Sequence, residues 1–503
     1  MFDGLIAFAG AFSAFANVTT LFNVGWATLI GIVIGALPGL TATMGVALMT
    51  TLTYRMVPEQ AILVLISVYV GAIYGGSRSA ILLNIPGTPA NAATTLDGFP
   101  LARAGRAGEA MGIATCASVI GTLIGVLFLA AVAPALAEFA LNFGSYEFFW
   151  LSIFGVVIAG QMTSFDDALK GWIAGFLGLL VAMVGQEGIH AEPRFSFGNS
   201  DLAGGIALIP ALVGAFGFAE ILSVMKNRAA EMATRSVERV LPRVSELWRY
   251  KRTIGRSGII GTVIGIIPGV GEDIGAWVSY AAARRSSKER DQFGKGSREG
   301  LIAAETGNNA AIPGALIPAL TLAVPGSAPA AVLLAAMLIH GIRPGPLIMI
   351  EAPTFVYQVV WMVVLATIAM GIFGLALTRP LLTILRVPRE RLMPVVFVLC
   401  VIGPYAITQR LFDVYVMLFF GIVGFILREM KYPMAPLVLG IILGDILDKN
   451  LRRALVLSDG DLTPFFFRPI SAVLWITTLL IVLLALPPVR NAATRMMRWD
   501  RKP

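Results

Sequence analysis

Proline followed by glycine inside an apolar run interrupts a helix, because proline removes a backbone donor and glycine has no Cβ to restrain the chain. This chain places the pair twice in one pattern, GIVIGALPGLTATMG at residues 31–45 and GTVIGIIPGVGEDIG at residues 261–275. Seven of the fifteen positions are identical, among them the breaks Pro38-Gly39 and Pro268-Gly269. A second interruption follows each copy, Asn84-Ile85-Pro86-Gly87-Thr88 and Ala323-Val324-Pro325-Gly326-Ser327. In hydrocarbon, the freed backbone groups are tolerated only where protein or a watery cavity satisfies them. Broken segments at corresponding places in two halves of a chain point to the binding site of a secondary transporter.

The surroundings of the breaks are those of a membrane protein. Of 503 residues, 57% are hydrophobic and 14% charged, against about 25% charged in soluble domains. Mean hydropathy is +0.81, and apolar runs near the roughly twenty residues that span a bilayer recur throughout. The expected fold is an all-α polytopic membrane protein with roughly 10–12 membrane segments. The net charge of +8 comes from basic residues in short loops between spans, which sets orientation and is no nucleic-acid signature. Cys116 and Cys400 lie in apolar runs and read as buried reduced thiols. No Lys or Arg precedes Arg55, so the start lacks the basic region of a signal peptide and reads as mature protein.

Residues 4–20 are apolar but short, suited to the interface or to partial insertion. The first broken element occupies 24–53, and spans follow at about 59–75, 108–133, 146–161, 168–187 and 202–222. Residues 226–256 carry nine Lys/Arg against three Glu and read as a cytoplasmic linker. The plan then recurs: a broken element at 258–285, a charged loop from Lys288 to Glu299, and spans at 300–325, 354–377, 392–408, 411–427 and 433–448, with an extra one at 470–487. The expected organisation is a first repeat over 1–225, the linker 226–256, a second repeat over 257–453, and an added helix with a basic cytoplasmic tail over 454–503.

Charge predicts that the repeats are inverted. With each broken element a hairpin, five crossings separate the copies, and an odd number puts them on opposite faces. No basic residue precedes the first copy and nine precede the second. Arg103 and Arg106 become cytoplasmic and Arg343 external, while Arg379, Arg386, Arg389 and Arg391 become cytoplasmic. Lys449, Arg452 and Arg453 fall on the external side and do not fit. Phe165-Asp166-Asp167 resembles Phe412-Asp413, and Glu220 resembles Asp445; both read as acids at membrane boundaries or helix caps.

Enzyme motifs are missing: no Gly-x-Ser-x-Gly elbow, His-Glu-x-x-His pair, Walker loop or Cys-x-x-Cys occurs. His190 and His340 stand alone. Neither an enzyme activity nor a structural metal or cofactor is expected, and transport without an ATPase motif must run on an ion gradient. Free N–H groups at half-helix starts, aided by Ser, Thr and Asn, suit a carboxylate. Ser77, Asn84, Pro86, Gly87, Thr88, Asn308, Asn309, Pro325, Gly326 and Ser327 are therefore candidate substrate residues, with Arg78 as a bidentate partner. Helix–helix hydrogen bonding is the competing role for the Asn and Thr residues, and snorkelling for Arg78. Oxygen ligands suit Na⁺, and buried acids suit Na⁺ or a proton. Thr41, Thr43, Glu272, Asp273 and Glu305 are candidate coupling-ion residues, with water-facing hairpin caps as the alternative for Glu272-Asp273.

Gly35-Ala-Leu-Pro-Gly39, Tyr74-Gly-Gly with Ser79-Ala-Ile-Leu-Leu-Asn-Ile-Pro-Gly87, Leu96-Asp-Gly-Phe-Pro100, Phe293-Gly-Lys-Gly296, Glu305 with Asn308-Asn309-Ala310, and Leu322-Ala-Val-Pro-Gly-Ser327 resemble the large membrane subunit of the tripartite tricarboxylate transporter family. The order and spacing of these stretches cover nearly the whole chain, to about Arg453. The resemblance implies a multi-pass permease of the bacterial cytoplasmic (inner) membrane that takes up carboxylates by Na⁺ or H⁺ symport. It also implies two partners, a small four-helix membrane subunit and a periplasmic solute-binding protein. An ion or solute channel is the first rival, disfavoured by the absence of charge rings; an intramembrane enzyme is the second.

Overall fold

The computed structural model describes residues 8, 10–13, 15–37, 39–163, 167–187, 191–226, 244–378 and 389–485. Pro38, His190, Phe165, Asp166, Arg379, Arg386, the linker residues 227–243, the first seven residues and the tail from 486 lie outside the described residues. The longer helices are α1 Val18–Ala36, α2 Ala42–Thr53, α3 Pro58–Leu83, α4 Ala92–Leu101, α5 Ala107–Ala140, α6 Ser145–Thr163, α7 Ala168–Ala182 and α8 Leu208–Lys226. They continue as α9 Lys251–Ile266, α10 Gly271–Ser286, α11 Arg298–Leu322, α12 Ala328–Ile339, α13 Phe355–Ala376, α14 Arg389–Thr408, α15 Leu411–Glu429, α16 Met434–Leu457 and α17 Pro469–Ala485. Among the described residues the only ladder pairs Gly185–Gln186 with Pro193–Arg194. Among the described residues seven helical stretches are long and apolar enough to cross a membrane, and shorter apolar helices accompany them. The chain is an all-α polytopic membrane protein.

Contacts divide the chain into two compact units, residues 1–140 with 207–426 and residues 141–206 with 427–503. The first unit holds both pairs of breaks, and close glycine contacts reveal how its helices run. A Cβ on Gly31 or Gly35 of α1 would stand 2.4 and 1.9 Å from the carbonyl oxygens of Val68 and Ala72 in α3. One on Gly261 or Gly265 of α9 would stand 2.1 and 2.4 Å from those of Gly307 and Ala311 in α11. Numbers rise together in each pair, so α1 runs parallel to α3 and α9 to α11. Small residues permit this approach, which in a membrane replaces the hydrophobic driving force with close packing. By contrast, α10 runs back along α11, since Gly275 lies against Ala311 while Tyr280 lies against Gly300. The second broken element is thus a helical hairpin, as is the first, where Gly45 packs on Ile34 across the turn. Gly39 and Gly269 turn the two hairpins at φ 97° and 72°, values that favour glycine.

The duplication extends to the second breaks. Helix α3 ends at Asn84 with φ 57°, ψ 25° and α11 at Ala323 with φ 56°, ψ 26°, both left-handed. Eleven residues span the same return bond in each: the Gly87 N–H donates to the Gly76 carbonyl, and the Gly326 N–H to the Ala315 carbonyl, both at 3.3 Å. Each Pro-Gly then presses on its own hairpin, Gly87 on the Gly35 carbonyl and Gly326 on the Gly265 carbonyl. The repeats point in opposite directions. Ser77 of α3 meets Glu305 of α11, whereas Tyr69, eight residues earlier, meets Ser327 beyond the end of α11, so α3 and α11 are antiparallel.

In the second unit, α7 and α16 approach through glycine, with a Cβ on Gly178 only 2.1 Å from the Leu437 carbonyl. Four spans differ most in length from expectation, and of these α3 runs on to Leu83 instead of 75 and α5 to Ala140 instead of 133. Helix α7 stops at Ala182, because the chain turns into the short ladder at Gly185, and α16 continues to Leu457 instead of 448. That extension carries the basic cluster that misfits the charge rule, and Lys449 and Arg452 of its three charges are paired. Lys449 bonds Asp445 at 2.7 Å, and Arg452 meets Asp448 at 3.1 Å and Glu187 at 3.3 Å.

Candidate functional site

Two polar loci lie in the first unit, one at each second break, and each is completed by the long helix of the other repeat. At the first locus, Glu305 of α11 is fully buried and its carboxylate accepts from three hydroxyls. Ser77 of α3 donates at 2.8 Å, Thr94 of α4 at 2.5 Å and Ser118 of α5 at 2.9 Å. Around this shell the Asn91 amide donates to Ser77 at 3.0 Å and the Thr88 hydroxyl to Asn91 at 2.6 Å. The Asn309 amide donates to Ser118 at 2.9 Å, and that of Asn308 to the Ala90 carbonyl at 3.3 Å. A carboxylate without water is tolerated only when its oxygens are hydrogen-bonded in this way.

The second locus is smaller. Tyr69 of α3, fully buried, donates its hydroxyl to Glu272 in the first turn of α10 and bonds Ser327 at 2.8 Å. Ser327 also caps α12, accepting from the Ala330 N–H at 3.3 Å. The Gly269 N–H donates to the Pro325 carbonyl at 3.3 Å, which joins the hairpin turn to the second break. Tyr69 stands fifteen residues before the left-handed cap Asn84, and Asn308 fifteen before Ala323. The same register position in each repeat therefore reaches into the break of the other.

The structure brings together Ser77, Thr88, Asn308, Asn309 and Glu305 at the first locus, and Glu272, Pro325, Gly326 and Ser327 at the second. Thr41 caps α2 by accepting from the Met44 N–H at 3.2 Å; Thr43 is buried in the first turn of the same helix. Asp273 is half-buried beside Glu272. Asn84 is exposed and occupies the left-handed cap, a conformation that asparagine tolerates better than most residues. Arg78 is buried but turned from the first locus. Its guanidinium donates to Tyr74, to the Gly374 carbonyl at 2.7 Å and to Thr378 at 3.1 Å, with no carboxylate partner among the described residues.

Sequence reasoning missed Tyr69, Thr94 and Ser118 as site residues. The register shared by Tyr69 and Asn308 was available to find the first; nothing marks Thr94 or Ser118 among the other small polar residues of apolar runs. Asp97 was also missed. Its Oδ1 accepts from the backbone N–H groups of Gly294, Gly296 and Ser297 at 2.8, 2.9 and 2.7 Å, and its Oδ2 from the Tyr280 hydroxyl at 2.9 Å. Leu96-Asp-Gly-Phe-Pro of one repeat thereby grips Phe293-Gly-Lys-Gly of the other, just ahead of α11.

These features agree with the comparisons to known proteins. The model of the tripartite tricarboxylate transporter TctA family matches residues 21–439. An uncharacterized 52.8 kDa protein in the TAR-I ttuC' 3' region of Agrobacterium vitis is 34% identical over 478 residues, covering 94% of this chain and 95% of that protein. An uncharacterized protein in the TAR-II ttuC' 3' region of the same organism is 35% identical over 241 residues, 48% of this chain and all of that protein. No solved structure matches. Mirrored helix breaks, the buried polar loci they enclose and a family match across most of the chain lead to one assignment: this protein belongs to the tripartite tricarboxylate transporter TctA family.

Proposed function

We propose that the chain is the permease subunit that imports organic carboxylates, tri- and dicarboxylates among them, across the bacterial cytoplasmic membrane by Na⁺ or H⁺ symport. It receives substrate from a periplasmic binding protein and works beside a small four-helix membrane subunit. The observation that carries this reading is the mirrored pair of cross-repeat ties, Tyr69 to Glu272 and Ser327, and Asn308 with Glu305 to Ala90 and Thr94. Alternating access needs two equivalent barriers, each of which opens while the other stays shut. Two polar contacts at one register position of oppositely directed helices supply such barriers. Thr88, Ser327 and the N–H groups that follow the breaks offer donors to the substrate carboxylates, and the Arg78 charge favours an anion nearby. Glu305 and its hydroxyl shell, with Glu272 and Asp273 at the other locus, offer oxygens to the coupling ion. In this reading residues 1–225 and 257–453 are the two repeats, 226–256 the linker, and 454–503 an added helix and tail.

Import by symport makes a direct prediction. Purified protein in vesicles, supplied with the loaded binding protein, accumulates labelled carboxylate only under an inward Na⁺ or proton gradient, and the rate saturates with substrate. Uptake that follows substrate concentration without saturation or gradient dependence identifies a channel and ends the carrier reading. Orientation has its own test. The first hairpin enters from the external face and the second from the cytoplasmic face, so cysteines placed at Arg55 and Arg290 label from opposite sides of the membrane. Labelling of both from one side contradicts this placement.

A further inference from the structure

At the C-terminal end of α10, away from the helix breaks, a cleft is lined by Trp277, Tyr280, Arg284, Arg285, Arg290 and Asp291 among others. Three arginines and one aspartate thus line the same cleft. Arg284 and Arg285 close the last turn of α10 and are exposed, and neither forms an ion pair with a described residue. Arg290 comes from the loop beyond the helix and is steered into place by a bond from its Nε to the Ser287 carbonyl at 3.1 Å. The helix dipole favours cations at the end of α10, but it gives no reason for a third arginine to converge from the loop. Converging guanidinium groups match the forked geometry of phosphate oxygens.

The level of the cleft identifies the source of that phosphate. Trp277 and Val278 on α10 are 37% and 36% exposed, so this stretch of helix turns apolar side chains outward. Seven residues separate Trp277 from Arg284, about 10 Å along a helix. Tryptophan marks the membrane–water boundary, and arginines two turns further along the helix stand on its headgroup side. Basic pockets at this depth bind anionic lipid headgroups, each basic residue near the surface contributing roughly a fivefold gain in affinity. We propose that the cleft seats the headgroup of an anionic phospholipid, with its phosphate on Arg284, Arg285 and Arg290 and its acyl chains along Trp277. Tyr280 lines the same cleft and donates to Asp97. The lipid therefore sits against the tie between α4 and the loop before α11, and its presence firms that tie.

The test uses full-length protein in phosphatidylcholine vesicles with and without phosphatidylglycerol, followed by mass spectrometry of lipid retained after extraction. Wild type is expected to retain phosphatidylglycerol preferentially. Arg290→Gln is expected to lower that retention about fivefold and the pair Arg284→Gln/Arg285→Gln about 30-fold. These side chains are exposed, so the variants are expected to fold. Equal retention of phosphatidylglycerol by wild type and the double variant overturns the proposal. So does heat stabilisation by inorganic phosphate alone in phosphatidylcholine vesicles that equals the effect of phosphatidylglycerol and depends on both arginines, since it marks a site for free anions. Neither result bears on symport, which is read from uptake.

Discussion

Glu305→Gln is expected to abolish most uptake, by roughly a hundredfold or more, while folded protein is retained. The carboxylate accepts from Ser77, Thr94 and Ser118 at once. A hydrogen bond to a charged group is worth about 1.5–3 kcal/mol, and a factor of ten corresponds to about 1.4 kcal/mol. Neutralising the acceptor weakens all three bonds and turns one oxygen into a donor that faces a hydroxyl. The helices still pack, because the amide has the shape of the acid and the hydroxyls can rotate to accept from it. What disappears is the negative charge to which the proposed symport assigns the attraction of a cation. Uptake against the membrane potential then fails, since moving one charge against 100 mV costs about 2.3 kcal/mol. Glu272→Gln and Asp273→Asn serve as comparisons at the mirrored locus, where the glutamine can still accept from Tyr69. Gradient-driven uptake and counterflow exchange, measured as functions of Na⁺ and pH, separate the two loci. Wild-type uptake by Glu305→Gln, with unchanged Na⁺ and pH dependence, would return the hydroxyl shell to a packing role.

Asp97→Ala is expected to destabilise the protein by about 3 kcal/mol or more, seen as loss of folded, monodisperse material after mild heating. One oxygen of Asp97 holds three backbone N–H groups, and an orphaned buried donor costs about 1–3 kcal/mol. Gly294 is exposed and water can replace its bond, whereas Ser297 is buried and begins the cap of α11. The loss is thus concentrated at the start of the helix that carries Glu305 and Asn308. Asp97→Asn keeps an acceptor oxygen without the charge and should melt between the alanine variant and wild type. Identical melting of all three proteins would show that the loop is held by its other contacts.

Much of the architecture was legible in the chain itself. A Pro-Gly pair in an apolar run favours a helix break, so four breaks in two matching sets could be placed before any contact was known, although the pair Pro313-Gly314 stays inside α11. Periodic apolar runs set the spans, and the distribution of arginine and lysine indicated that the copies are inverted. In the cluster that misfits the charge rule, Lys449 and Arg452 pair with Asp445, Asp448 and Glu187, partners that a count of basic residues leaves out. Motif spacing marked Glu305, Asn308 and Asn309 as chemistry, because amides and acids are costly in hydrocarbon at any position.

Partnership belongs to the tertiary structure. Ser77 and Glu305 are separated by 228 residues and Tyr69 and Ser327 by 258, and no local propensity links them. Their contact follows from two long helices that run antiparallel. The same packing turned Arg78 toward Gly374 and Thr378 instead of the first locus, although it lies one residue from Ser77. Successive residues on a helix point about 100° apart, so adjacency in sequence separates side chains here as surely as the fold unites distant ones. Asp97 shows the remaining limit. Its value lies in backbone N–H groups of a loop nearly 200 residues away, donors that every residue type except proline possesses and no sequence pattern reveals.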